Sequence, residues 1–213
     1  TYPEIAKMQT KAVIRAAINV QKAHPDWTVK PEIMIPLVCE VKELKYVKKV
    51  VVDTADAEIA AAGVKLEYEV GTMIEIPRAA LTADEIAKEA DFFSIGTNDL
   101  TGYTMACDRG NNDVSYLYSP LQPSVLRMIK RTIECGVQNG ISVGMCGEAA
   151  ANKLMIPLLI SFGLTEFSVS APSVLNVRKI ISTWTKEEAD KVTAKVLEMS
   201  TQQEIVEYLK SVV

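Results

Sequence analysis

Five short apolar runs, each parted from the next by a longer stretch of helical character, constrain this chain most. They are EIMIPLV (32–38), KLEYEVGTMIEIP (65–77), DFFSIGTND (91–99), ISVGMC (141–146) and EFSVSAP (166–172). Apolar runs of this length, bounded by turn residues, read as buried strands. The stretches between them repeat at helical spacing. Residues 3–23 form one such stretch, ending before His24 and Pro25. Val41, Leu44, Val47 and Val51 recur along 40–62, which stops at Gly63. Val125, Ile129, Ile133 and Val137 line one face after Pro123, and Gly140 ends it. Residues 149–162 read as an apolar helix, and Thr-x-x-Glu boxes in TADE (82–85), TKEE (185–188) and TQQE (201–204) mark three helix starts. A short helix and then an irregular stretch are expected between Leu100 and Tyr118.

Strands that alternate with helices demand right-handed crossovers and so a parallel sheet. No strand is followed by a G-x-G-x-x-G turn, so a dinucleotide-binding fold has no local support. A (β/α)8 barrel of about 250 residues is the other solution, and its polar site lies at the C-terminal ends of the strands. This chain of 213 residues shows five of the eight units. The expected fold is therefore α/β, a TIM-type barrel in truncated form, with residues 1–213 in a single domain and no internal repeat or low-complexity linker. The opening TYPEIAKMQTKAV lacks an initiator Met and a signal-peptide layout, as though cut from a longer chain.

Several classes are disfavoured. The net charge of −4 argues against nucleic acid and anionic membranes. No apolar run reaches the roughly 18 residues of a membrane span. Cys39, Cys107, Cys135 and Cys146 show no C-x-x-C spacing, which points to a reducing, cytoplasmic setting. The single histidine, His24, excludes a multi-histidine metal site and reads as a surface residue.

The polar residues gather where such a barrel keeps its chemistry. The second strand delivers Glu75, and the third delivers Gly96, Thr97, Asn98 and Asp99. The fourth delivers Cys146 and Gly147. Glu75 and Asp99, from neighbouring strands, suit a hard cation such as Mg2+, which takes oxygen ligands and keeps positions open for water or phosphate. Glu75 could equally cap a helix or pair with Arg78. Asn98 offers neutral donors, and the Gly96-Thr97 turn can aim backbone N–H groups at an anion. Arg109 brings a guanidinium fork for phosphate or carboxylate, or else pairs with Asp108 or Asp113. Cys146 is either an inert core thiol or a proton carrier, because a thiol exchanges protons near neutral pH.

In combination, GTMIEIPRAALTADEIAKEADFFSIGTNDLT and GMCGEAA resemble the phosphoenolpyruvate-utilising phosphotransferases. This is the family of Enzyme I of the sugar phosphotransferase system and of pyruvate, phosphate dikinase. TYPEIAKMQ, PEIMIPLV and GTMIEIPRAALTADEIA are similar to the dikinase; FSIGTNDLTGYTMACDRGNN, LYSPLQPSVLRMI and GLTEFSVSAPSVLNVRKII are similar to Enzyme I. The second likeness includes the Arg109 loop and is preferred, with the dikinase as the alternative and a non-catalytic dimerisation module as a third reading. The resemblance implies a Mg2+ site at Glu75 and Asp99. It implies substrate contacts from Gly96, Thr97, Asn98, Asp99 and Arg109. Cys146 would protonate the enolate left when phosphoenolpyruvate gives up its phosphoryl group. It also implies that these residues are the last five β/α units of the barrel, with a homodimer and a phosphohistidine-bearing domain outside the 213 residues as partners. The strands at 32–38 and 166–171 would then have unpaired edges, inviting association.

Overall fold

The computed structural model describes residues 2–213. Its centre is a parallel sheet of β1 (Glu32–Ile35), β2 (Glu69–Ile74), β3 (Phe92–Gly96), β4 (Ser142–Cys146) and β5 (Glu166–Phe167). The strands lie side by side in chain order, β1-β2-β3-β4-β5. A doubly wound sheet reverses direction partway; a barrel does not, so this order is that of an opened barrel. The outer edges of β1 and β5 pair with no other strand among the described residues.

Helices α1 (Pro3–Ala23) and α2 (Val41–Ala62) pack along each other through Ile14, Ile18 and Ala55, and Arg15 binds Glu58 at 2.7 Å across the same face. Helices α3 (Pro77–Leu81), α4 (Ala83–Ile86), α5 (Thr97–Met105), α6 (Pro123–Gln138) and α7 (Ile156–Phe162) follow the middle strands. Helices α8 (Val174–Ser182), α9 (Lys186–Glu198) and α10 (Gln202–Val212) close the chain. No helix among the described residues is long and apolar enough to cross a membrane.

Alternation along each strand sends Val70, Ile74, Phe93, Ile95, Val143 and Met145 toward the helices, all buried. Each such side chain contributes roughly 1.5–3 kcal/mol of transfer free energy. Gly136 lets α6 settle onto β4, since a Cβ there would come within 2.2 Å of Val143 Cγ2.

The elements depart from the sequence expectations in instructive ways. β2 begins at Glu69 rather than residue 65, and β5 is two residues rather than seven. The third strand stops at Gly96, so Asn98 and Asp99 belong to the first turn of α5 and not to an exit loop. The box at 82–85 is absent: Thr82 Oγ1 donates to the Arg78 carbonyl at 2.9 Å, because Pro77 has already started a helix one turn earlier. The boxes at Thr185 and Thr201 form as expected. The 149–162 segment divides into a 3-10 turn over Glu148–Ala151 and then α7. The region between Leu100 and Tyr118 continues α5 and adds a 3-10 stretch over Asn112–Leu117. Helix α8, over Val174–Ser182, is not among the expected helices. His24 is exposed and stacks on Trp27 with ring centroids 4.0 Å apart.

Candidate functional site

Glu75 follows β2 directly and is only 3% exposed. Its Oε1 accepts the backbone N–H of Leu37 at 2.7 Å. Its Oε2 lies over Gly96, where a Cβ would come within 2.7 Å. Burial pushes the Glu75 carboxyl above its ordinary range; the Leu37 N–H opposes that shift, and the nearby Asp99 carboxylate adds to it. Glu75 does not pair with Arg78, which binds Glu40 at 2.6 Å.

A row of residues crosses the sheet at this end. The β3–β4 register pairs Gly96 with Cys146. The β2–β3 register pairs Ile74 with Ile95, which sets Glu75 beside Gly96 one step further on. With neighbouring strands about 4.8 Å apart, the Glu75 and Cys146 backbones lie roughly 10 Å apart across Gly96. The glycine leaves the space between them open.

Cys146 is half-buried, and its thiol donates to the Ile95 carbonyl at 3.7 Å. Thr97 is buried, and its Oγ1 donates to the Cys146 carbonyl at 3.0 Å, tying the end of β4 to the start of α5. Gly147 continues that junction at φ 93°, a left-handed backbone that favours glycine, and a Cβ would stand 2.6 Å from Thr97 Oγ1. Asn98 Oδ1 accepts the Glu148 N–H at 3.5 Å, and Tyr118 Oη donates to the Asn98 carbonyl at 2.8 Å.

Arg109 lies in the loop after α5. It shares an open cleft of about 480 Å³ with Asn98, Asp99 and Tyr118. The alternative ion pair with Asp108 or Asp113 does not form among the described residues. The Asp108 carboxylate instead accepts the Gly110 N–H at 2.8 Å. Burial raises the Tyr118 phenol, and the adjacent Arg109 guanidinium opposes the rise.

Glu75, Gly96, Thr97, Asn98, Asp99 and Cys146 are thus gathered at one end of the sheet, and Arg109 reaches the Asn98–Asp99 side of it. Glu75 and Cys146 do not line the Arg109 cleft. Sequence reasoning missed two residues, Leu37 and Tyr118. Tyr118 carried no motif of its own, and Leu37 looked like one more apolar residue of a strand.

Among the described residues no three His, Cys, Asp or Glu side chains gather as a metal cluster. A two-carboxylate site is nevertheless the size Mg2+ uses when water and phosphate complete its shell. The residues fit such an ion: a buried carboxylate with a raised proton affinity beside a second carboxylate is relieved by a cation.

Fold and site together define part of a β/α barrel domain with an acidic and a thiol group at its strand ends. The model of the PEP-utilising enzyme, PEP-binding domain matches residues 1–185, and the chain belongs to that family. It is 44% identical over 208 residues to the phosphoenolpyruvate-protein phosphotransferase of Bacillus subtilis, covering 97% of this chain and 35% of the relative. It is 43% identical over 203 residues to the protein of the same name from Lactococcus lactis subsp. lactis, covering 94% and 34%. The chain therefore spans about a third of the length of these relatives. A citrate lyase from Burkholderia xenovorans matches in structure with a TM-score of 0.51 at 13% identity, over 84% of this chain and 61% of that one. That likeness concerns the fold alone.

Proposed function

We propose that this chain is the phosphoenolpyruvate/pyruvate-binding part of a phosphoenolpyruvate-protein phosphotransferase, with residues 1–213 in one barrel domain. The observation that carries the reading is the row Glu75–Gly96–Cys146, with Asp99 beside it, at the C-terminal end of the sheet. The named relatives support it.

Glu75 and Asp99 would hold Mg2+, which when bound neutralises charge on phosphate and enolate oxygens. Asn98 offers its amide N–H2 to the substrate, because its Oδ1 is turned toward Glu148. Gly96 and Thr97 open α5 and would offer backbone N–H groups of its first turn to the substrate's phosphate and carboxylate. Arg109 brings a fixed positive fork to the phosphate side, and such charge neutralisation is the main requirement of phosphoryl transfer. Cys146 gives its thiol proton to the methylene carbon of the enolate, making pyruvate; the reverse step takes a methyl proton from pyruvate. The phosphoryl group passes to a histidine on a separate domain. The unpaired edges of β1 and β5 favour a homodimer or closure by further strands, and four free thiols suit the cytoplasm.

The test is exchange of pyruvate methyl protons in D2O, followed by NMR with Mg2+, for the chain and for Cys146→Ala. Exchange that requires both Mg2+ and Cys146 is the expected result. Exchange that survives Cys146→Ala overturns the assignment of the proton donor. A folded chain that gives no exchange shows that these five units alone do not suffice for catalysis and act on their own only as a scaffold.

A further inference from the structure

Leu37 has φ 55°, and it is neither a glycine nor a helix cap. A bulky side chain disfavours this left-handed region, where Cβ crowds the following carbonyl. Such a conformation persists only where the surroundings impose it. Burial of the side chain does not impose it, since Leu37 is 55% exposed. The chain is instead pinned on both sides. Thr72 Oγ1 donates to the Ile35 carbonyl at 2.8 Å, holding the end of β1. The Glu43 carboxylate accepts the N–H groups of Cys39 and Glu40 at 2.7 and 3.1 Å, holding the start of α2. Val38 is buried between these anchors. The reversal at Leu37 then aims its N–H at Glu75 Oε1.

We infer that Leu37 is a positioning residue whose left-handed backbone, not its side chain, fixes the rotation of the Glu75 carboxylate, with Oε1 on the Leu37 N–H and Oε2 over Gly96. The metal-facing part of this inference rests on the proposed role of Glu75. Substitutions at Leu37 should therefore rank in inverted order. Leu37→Gly deletes the side chain yet adopts the conformation without steric strain, so the clamp survives. Leu37→Ile looks conservative, but a β-branched residue resists φ near 55° and should turn the N–H away.

Two readouts separate the clamp from the metal site. The first is amide hydrogen exchange at position 37, by NMR on selectively 15N-labelled chain. Slow exchange in wild type and in Leu37→Gly, with fast exchange in Leu37→Ile, is expected. The second is Mn2+ binding by electron paramagnetic resonance, with circular dichroism melts confirming that each variant folds. Leu37→Gly should bind like wild type, and Leu37→Ile should bind about 10- to 100-fold more weakly, as when a group supporting a metal ligand is lost. Fast exchange at Leu37 in wild type overturns the inference. So does a folded Leu37→Ile that keeps a slow amide, or a Leu37→Gly that loses it. Wild type that binds no Mn2+ sinks the metal role of Glu75 and Asp99, while the exchange data still decide the clamp.

Discussion

Replacing Gly96 by alanine tests the packing of the site at its centre. The backbone presents no obstacle, because φ −86° and ψ 85° are open to alanine. On that count alone the change should stabilise by about 0.4–1 kcal/mol, through the less flexible unfolded chain. Space is the obstacle. A Cβ at 96 would stand 2.7 Å from Glu75 Oε2, 2.7 Å from Met73 Sδ and 3.0 Å from Glu75 Cβ. Met73 is only partly buried and its thioether can swing aside. Glu75 cannot easily follow, being buried with Oε1 held by Leu37. Overpacking of this kind costs about 1–3 kcal/mol. The two ranges give a net change between about 0 and 2.6 kcal/mol of loss, centred on roughly 1.3 kcal/mol, read from urea unfolding by far-ultraviolet circular dichroism. Gly102→Ala is the matched control. It lies within α5, its Cβ would come no closer than 3.4 Å to any atom, and it should stabilise by about 0.8–1 kcal/mol. A Gly96→Ala protein as stable as wild type, with unchanged Mn2+ binding, would show that the carboxylate does not sit over Gly96.

Two further expectations follow from the same structure. Glu75 holds its proton to higher pH in the folded chain than its ordinary value of 4.5, so the native state binds more protons than the unfolded one just above that value. Its favourable contribution is complete below about 4.5 and is lost as pH rises through the raised folded value. In chelator-treated buffer, Glu75→Gln should therefore exceed wild type in stability at pH 7, and the difference should fade toward pH 4 in urea titrations. Thr201→Ala should cost about 1 kcal/mol because Thr201 Oγ1 accepts the Glu204 N–H at 3.2 Å, whereas Thr82→Ala should cost clearly less, since its hydroxyl caps no N–H. Equal losses from the two, in the same unfolding assay, would contradict the difference in capping.

Much of the molecule was legible beforehand. The β/α alternation is written in apolar period and breakers, and it yielded helices at Pro3–Ala23 and Val41–Ala62 and strands in all five expected places. The family was legible because GTMIEIPRAAL, SIGTNDLT and GMCGEAA are contiguous motifs, and residues 1–185 match the family model. Boundaries were less legible where neighbouring signals compete. Pro77 and the box at Thr82 both offered a helix start, and the proline, coming first, prevailed. Asn98 and Asp99 read as loop residues because Gly-Thr-Asn-Asp is turn chemistry, yet α5 starts directly after β3 with no loop between.

By itself, then, the sequence determined the order of elements, the parallel winding and the identity of the polar residues at the strand ends, since these depend on local period and short motifs. Tertiary structure alone decided how those residues meet. Strand register sets Glu75 and Cys146 on either side of Gly96, and burial of Glu75 beside Asp99 raises its proton affinity. The left-handed turn at Leu37 belongs to the same category. No local preference of leucine favours it; the capping box at Glu43 holds one side locally, but the Thr72–Ile35 and Leu37–Glu75 hydrogen bonds that complete it join residues 37 and 38 positions apart on different strands and loops.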